Sequence, residues 1–404
     1  MSRIDTLLLY ALFASSLLVE VRLPIVGFSA CNLAVPVAAV ALAWRERASI
    51  AGVIRAYPRL LAAALAVYAW AWVSAVNGEL PALSTWYVAK YTGHLVVFVA
   101  LLAFLRRRAA VAPAQRAAYH VLVVLAVLGV VEYVAPEWGL FTFFRPSPGR
   151  YPRVTSVLIS PNQFGVLTAV AVAFGAALAH ARAIRALVHA AALPVLLLAL
   201  ALCGSRNGWL VFAVLVLVLT AAHVLALRAA TAMVAGLALL LLTFPVPTTQ
   251  LGLDGVPGLP LTELLRAAPP PPLVGMNTPA ETLQPRTALW KAAIAEIQRH
   301  PVSGIGLEVF ANTIGPRITQ QHWINTHNLF LNVATELGLV GLALFLVFLA
   351  ELVRCGDPWC WTTSIPLLGI GVGQLFDCFI YDHAFMTFAV FFAACYASVP
   401  RAPD

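Results

Sequence analysis

The chain has 404 residues, of which 61% are hydrophobic and 10% are charged. Soluble globular domains carry about 25% charged residues, so the composition excludes a soluble fold and indicates a protein surrounded by lipid. Its 25 basic and 17 acidic residues give a formal net charge of +8. All basic residues except Lys90 and Lys291 are arginine, which binds phosphate groups as a rigid two-pronged donor.

Apolar runs long enough to cross a membrane recur through most of the chain. A hydrocarbon layer of about 30 Å requires roughly 20 apolar residues in a helix. We therefore predict an all-α, polytopic membrane protein that forms a single membrane domain, residues 1–404. About 12 transmembrane helices are expected, over residues 5–19, 22–44, 60–75, 86–105, 117–134, 161–180, 188–203, 207–227, 229–247, 327–353, 360–379 and 384–399.

Two longer segments separate some of these runs, residues 135–160 and residues 248–326, the second between predicted helices 9 and 10. Of the 25 basic residues, 14 fall on the chain ends and short connections that lie on the side of the membrane opposite these two segments. Because short cytoplasmic connections are enriched in Lys and Arg, both termini are expected in the cytoplasm and both long segments outside. In the second segment, apolar residues at helical spacing predict an amphipathic helix on or near the bilayer surface, namely Leu289, Trp290, Ala293, Ile294 and Ile297.

Two arginines on the predicted outer face stand where their charge needs a partner. Arg206 lies between two apolar runs, where an arginine is costly unless it snorkels to water or binds an anion. Arg286 opens the predicted amphipathic helix, although cations are disfavoured at a helix N-terminus. An anionic ligand would remove that conflict. A solvated loop arginine is the alternative interpretation.

His327 marks the point where the second long segment meets the tenth predicted helix. A histidine there is either an interfacial anchor or a group that can take up a proton near neutral pH. Glu336 follows nine residues later, which places it about 180° around an ideal helix and ~13 Å along it. The two side chains can address one small site only if the helix turns, and Gly338 is the candidate for that turn.

Taken in order, these segments resemble the O-antigen ligase and polymerase family of bacterial membrane glycosyltransferases. The resemblance covers about residues 150–345 and implies transfer of an oligosaccharide from undecaprenyl pyrophosphate to an acceptor hydroxyl, on the periplasmic side of the bacterial inner membrane. The segments that carry it are Arg153 to Phe164 with Pro161-Asn162, then Arg206, then Arg286 with Trp290 and His300-Pro301-x-x-Gly304-x-Gly306, and finally His327-Asn328-x-x-Leu331 with Glu336-x-Gly338-x-x-Gly341.

The residue types fit such a reaction. Arg206 and Arg286 are candidates for binding the pyrophosphate, since guanidinium contacts strengthen as charge develops on the departing oxygen. His327 is the candidate general base, and single displacement with inversion is expected. The sequence has no Asp-x-Asp pattern, no P-loop and no dinucleotide-binding glycine pattern, so we expect neither a metal nor another cofactor.

Ten further residues are possible substrate-binding groups. The loop arginines could equally meet lipid headgroups, interfacial asparagines also cap helices, and the aspartates are alternatively polar turn residues. Lys90 lies one turn from His94 inside an apolar helix, where a charged group must line a cavity or be paired. The ten are Arg145, Arg150, Arg153, Asn162, Gln163, Asn328, Lys90, His322, Asp377 and Asp382.

The leading interpretation is an O-antigen ligase that transfers O-antigen polysaccharide from its undecaprenyl pyrophosphate carrier to the lipid A core. O-antigen polymerase and protein O-oligosaccharyltransferase activities, which use the same donor, are the alternatives within the family. A membrane transporter or lipid flippase is the alternative from another class, but it predicts ionisable groups near the bilayer midplane. The expected partners are the lipid-linked donor, the lipid A core acceptor and membrane lipids, with no nucleic acid.

Overall fold

The computed structural model describes residues 3–16, 31–135, 154–158, 160–244, 279–319, 323–379 and 382–400. The described residues form helices and turns without any strand, which confirms the all-α class. The helices are α1 Arg3–Ser16, α2 Cys31–Arg45, α3 Arg47–Ala56, α4 Pro58–Asn77, α5 Pro81–Leu105, α6 Arg108–Val134, α7 Pro161–His180, α8 Ala186–Leu202, α9 Arg206–Ala221, α10 Leu227–Thr243, α11 Pro279–Arg299, α12 Gly315–Thr319, α13 Leu329–Cys355, α14 Trp361–Leu375 and α15 His383–Ala397, with a π-helical turn at Phe310–Ile314.

Each predicted transmembrane run overlaps one of these helices. Within the described part of the chain, five helices, α4, α5, α6, α7 and α13, are long and apolar enough to cross a membrane. This supports a membrane protein, while the number of crossings and their orientation stay predictions. Residues 22–30, most of the loop 135–160 and the part 248–278 of the second long segment lie outside the described residues.

Helix α7 is the centre of the bundle, and most of its side chains are buried. It packs against α6, α8, α9 and α14. Gly208 of α9 lies so close to Gly165 of α7 that a Cβ on Gly208 would overlap the α7 backbone. This close approach brings the N-terminal ends of α7 and α9 together.

Helix α13 is broken at Gly338, whose backbone has φ 72° and ψ −179°. This backbone conformation is available essentially only to glycine. The carbonyl oxygens freed by the break find donors on α4, where Ser74 Oγ donates to Glu336 O at 2.7 Å and Trp70 Nε1 donates to Leu337 O at 2.8 Å. The change of direction expected at Gly338 is therefore present.

The segment after α11 fits into this break. Gly306 N donates to Glu336 O at 3.0 Å, and Leu339 N donates to Pro301 O at 2.8 Å. Gly304, at φ 69°, lies so close that a Cβ would overlap the backbone of Glu336. The Pro301-x-x-Gly304-x-Gly306 and Glu336-x-Gly338 patterns thus form one interlocked structural unit.

Replacing Gly338 by alanine is expected to destabilise the fold by about 3 kcal/mol or more, because the backbone strain adds to an overlap of the new Cβ with Val302 O. Gly371→Ala is the matched control, since nothing lies within 4 Å of a Cβ placed there. Thermal unfolding of both variants in detergent tests this. Equal midpoints for the two variants would contradict the account of the break.

Helix α11 is the amphipathic helix expected from the sequence, but its buried face packs against protein. Leu289 and Ala293 are buried with Ile305, Val309 and Phe310. Trp290 and Ile294 remain exposed. The single apolar stripe expected to face lipid is thus divided between a protein contact and an exposed face.

Candidate active site

His327 lies in a tight turn just before α13. Its backbone has φ 54°, an unusual conformation for a residue other than glycine. Asn325 Oδ1 accepts a hydrogen bond from His327 N at 2.8 Å, and Asn328 caps α13 by accepting from Leu331 N at 2.9 Å. Hydrogen bonds on both sides therefore hold this turn in its strained conformation.

The imidazole of His327 pairs with a buried carboxylate. His327 Nδ1 lies 2.9 Å from Asp377 Oδ1, in the turn between α14 and α15. Asp377 is 4% exposed, and its other oxygen accepts from Asn162 Nδ2 at 2.9 Å. Burial opposes ionisation of Asp377, but His327 and hydrogen bonds from Asn162 and Cys378 hold the pKa of this carboxyl below its usual value.

A continuous chain of hydrogen bonds links this pair to the start of α9. Ser205 Oγ donates to Asn162 Oδ1 at 3.1 Å. Ser205 Oγ also caps α9 by accepting from Gly208 N at 3.1 Å. Arg206 is the first residue of α9, directly after this cap. Asn162 therefore joins the His327–Asp377 pair to the segment that presents Arg206.

Arg286 comes to the same region from α11. Its positive charge acts electrostatically on Arg206, so the two side chains lie in the same region of the fold. One turn after Arg286, Trp290 Nε1 donates to Thr326 O at 2.8 Å, beside His327. The structure therefore brings Arg206, Arg286 and His327 together.

Neither Arg206 nor Arg286 forms an ion pair with a carboxylate among the described residues. Two like charges placed close together attract a polyanion. The helix-dipole argument for Arg286 is wrong, because α11 begins at Pro279, two turns earlier, and the dipole acts within the first turn.

Several of the possible substrate-binding residues contact protein groups instead. Asn162 and Asp377 belong to the chain of hydrogen bonds, and Asn328 Nδ2 donates to Leu375 O at 2.9 Å. Asp382 caps α15 by accepting from Phe385 N, and burial raises its pKa to about 6. Gln163 is buried within α7.

The other predicted residues lie apart or outside the described residues. Lys90 Nζ lies over the rings of Tyr87 and Tyr91 on α5, 5.2 and 5.5 Å from their centroids. It is thus paired, through cation–π contacts, within a partly buried aromatic cluster on α5. Outside the described residues are Arg145, Arg150, Arg153 and His322.

The sequence reasoning missed Glu308, which is 1% exposed and has positive φ. Its carboxylate accepts from Tyr91 Oη at 3.2 Å and from Trp323 Nε1 at 2.9 Å. The signal that could have found it is a single acid in the apolar stretch from Ile305 to Ala311.

Among the described residues, one group offers three potential metal ligands within 4.8 Å of one another: Glu79, Glu296 and His300. Arg299 Nη1 lies 2.6 Å from Glu296 Oε1, so a protein cation already neutralises part of this group. None of its members belongs to the hydrogen-bonded site at His327.

A cavity of about 490 Å³ adjoins the site, between α4, α5, α13, α14 and α15. Its wall includes Leu329, two residues after His327, and Gln374, three residues before Asp377. Elsewhere its lining is mainly apolar and aromatic, with Tyr68, Phe348 and Leu337 among the lining residues. The cavity therefore offers an apolar volume directly beside the polar site.

Comparison with known protein families relates part of the chain to a described family. Residues 190–346 match the family model described as O-antigen ligase. The matched segment contains Arg206, Arg286 and His327, together with the interlocked glycine patterns. No curated protein matches the chain.

Proposed function

We propose, from the match of residues 190–346 to the O-antigen ligase family model, that this chain transfers O-antigen polysaccharide from undecaprenyl pyrophosphate to the lipid A core. It would act without a metal, at a site facing the periplasm in the inner membrane, with both termini in the cytoplasm. The observation that carries the proposal is the convergence of Arg206 and Arg286 with the His327–Asp377 pair.

In the proposed reaction, His327 acts as the general base. Because Asp377 is ionised and can only accept, Nδ1 of His327 carries the proton of their hydrogen bond, and Nε2 has a free lone pair. Nε2 takes the proton of the acceptor hydroxyl while the hydroxyl oxygen attacks the anomeric carbon. Asp377 then stabilises the imidazolium that forms.

The bond between the anomeric carbon and the pyrophosphate oxygen breaks in the same step. Its electron pair goes to that oxygen, and undecaprenyl pyrophosphate leaves. Arg206 and Arg286 would bind the leaving group, where bidentate contacts gain strength as the oxygen becomes more negative. Attack opposite the leaving group inverts the anomeric configuration.

The apolar cavity supports a lipid-linked donor. A cavity of about 490 Å³ with a mainly apolar lining suits an isoprenoid chain, whereas the polar groups beside it suit a pyrophosphate. A soluble nucleotide sugar would have no use for such a volume. The combination favours a carrier with one apolar and one doubly charged part.

The acceptor can be tested with purified protein in nanodiscs, given undecaprenyl-pyrophosphate-linked glycan and lipid A core. We expect glycan attached to the lipid A core. If the only product is a longer glycan on the carrier, the chain is a polymerase and the ligase assignment is wrong.

Replacing Arg206 or Arg286 by lysine keeps the charge and removes the two-pronged donor, so each variant is expected to lower the transfer rate by about 10²-fold. Arg299→Lys on α11 is the control, since Arg299 pairs with Glu296. Initial rates at saturating acceptor provide the measurement. Rates for both variants equal to the control would contradict the proposed pyrophosphate site.

A further inference from the structure

The segment that leads to His327 is anchored at successive residues. Trp323 Nε1 donates to Glu308 Oε2 at 2.9 Å, and Ile324 N donates to Ala311 O at 3.1 Å. Asn325 Nδ2 donates to Cys378 O at 2.8 Å. Of these anchors, only the first involves a group that can change its charge near neutral pH.

Glu308 joins four parts of the fold. Tyr91 of α5 donates to Oε1 of its carboxylate. Oε2 accepts from Trp323, in the segment before His327, at 2.9 Å and from Asn312, in the π-helical turn, at 3.3 Å. Its own backbone N–H donates to Glu336 Oε2 of α13 at 2.9 Å. A carboxylate with this many neighbours, in a strained backbone conformation, fixes the position of everything bonded to it.

The charge of Glu308 is set by its surroundings. Burial raises its pKa to about 7, while the hydrogen bond from Trp323, the charge of Lys90 and the bonds from Tyr91 and Asn312 act in the opposite direction. The other titratable groups facing this cluster are Tyr87 on α5 and Glu336 on α13. Protonation of Glu308 near neutral pH would weaken its bonds to Trp323 and Tyr91, because acceptors are strongest when ionised.

We propose that Glu308 is a positioning residue for His327: its carboxylate anchors Trp323, and loss of that charge loosens the segment 323–327 that presents the base. The effect on transfer rests on the proposed function. The local effect, a change at Trp323, does not. A base displaced by a fraction of an ångström loses rate without loss of substrate binding.

The first test uses the whole protein in nanodiscs and needs no substrate. Tryptophan emission is followed from pH 5 to pH 9, and the emission of Trp323→Phe is subtracted to isolate Trp323. We expect a transition with a midpoint near pH 7 that is absent in Glu308→Gln. A transition that persists in Glu308→Gln, or no transition in the wild type, would overturn the proposal whether or not the chain transfers glycan.

The second test measures transfer. Glu308→Gln has the same shape without the charge and is expected to lower kcat by about tenfold at pH 8, with the KM for the lipid-linked donor nearly unchanged. It should also remove the ionisation of Glu308 from the acid side of the pH profile. Trp323→Phe should give the same loss, and the double variant no further loss. Glu296→Gln is the control.

A purely structural role for Glu308 predicts a different pattern. It predicts a lower melting temperature for Glu308→Gln, with a pH profile of wild-type shape and losses that add in the double variant. That pattern would overturn the proposal. If no variant and no wild-type protein transfers glycan, the proposed function fails, while the fluorescence test still decides the role of Glu308.

Discussion

Replacing His327 by asparagine is expected to reduce glycan transfer by about 10²–10⁴-fold, the usual contribution of a general base. Asparagine is the suitable variant because it tolerates the positive φ of this position better than alanine does. Its amide can also donate to Asp377, so the turn should keep its shape. Single-turnover transfer with bound donor is the measurement.

Donor binding by the His327→Asn variant should stay close to that of the wild type, since the pyrophosphate contacts come from Arg206 and Arg286. His300→Asn is the matched control, because His300 lies in the segment after α11 and is not bonded to the His327 site. Unchanged transfer in His327→Asn would remove the base from the mechanism. Loss of both transfer and donor binding would make His327 a ligand for the donor instead.

Asp377→Asn should lower kcat by roughly 10²–10³-fold, because it changes which ring nitrogen of His327 carries the proton. An asparagine amide facing His327 Nδ1 favours the form with the proton on Nε2, which cannot accept the proton of the acceptor hydroxyl. The expected signature is a loss in kcat with little change in the KM of the donor. Asp357→Asn is the control, since Asp357 likewise accepts from a backbone N–H, that of Trp359, but lies in the turn between α13 and α14.

The same substitution should change the dependence of stability on pH. The pKa of Asp377 is lowered in the folded protein, so its carboxylate adds stability above the unfolded value of about 3.9, and this is lost as pH falls through the folded value. Asp377→Asn should therefore lose less stability than the wild type on acidification. If the melting temperatures of the wild type and Asp377→Asn fall equally between pH 6 and pH 3, an ionised Asp377 paired with His327 is contradicted.

The sequence allows the helical runs and the main polar residues of the site to be predicted for clear physical reasons. A run of about 20 apolar residues has few alternatives to a membrane helix. Arg206 and His327 are polar groups at the ends of such runs, and Arg286 belongs to the amphipathic helix between two of them. The order of the three carries the family resemblance. Gly338 was identified from geometry, because His327 and Glu336 could not share a face of a straight helix.

Other features depend on contacts between distant segments, which no local pattern records. Asn162 is a possible substrate-binding residue from the sequence, but in the structure it bonds to Asp377 and Ser205. Glu336 is fully buried and receives the backbone N–H of Glu308. Helix α3 was missed because it has only 10 residues, too few for a membrane run.

The central claim is that this chain breaks the bond between a glycan and its pyrophosphate carrier, and it is tested most directly by counting products. Purified protein in sealed vesicles is given undecaprenyl-pyrophosphate-linked glycan and lipid A core, with chelator present throughout. The account predicts one undecaprenyl pyrophosphate released for each glycan joined to lipid A core, and none with His327→Asn. Movement of the intact carrier across the bilayer without release of pyrophosphate would contradict it and identify a transporter.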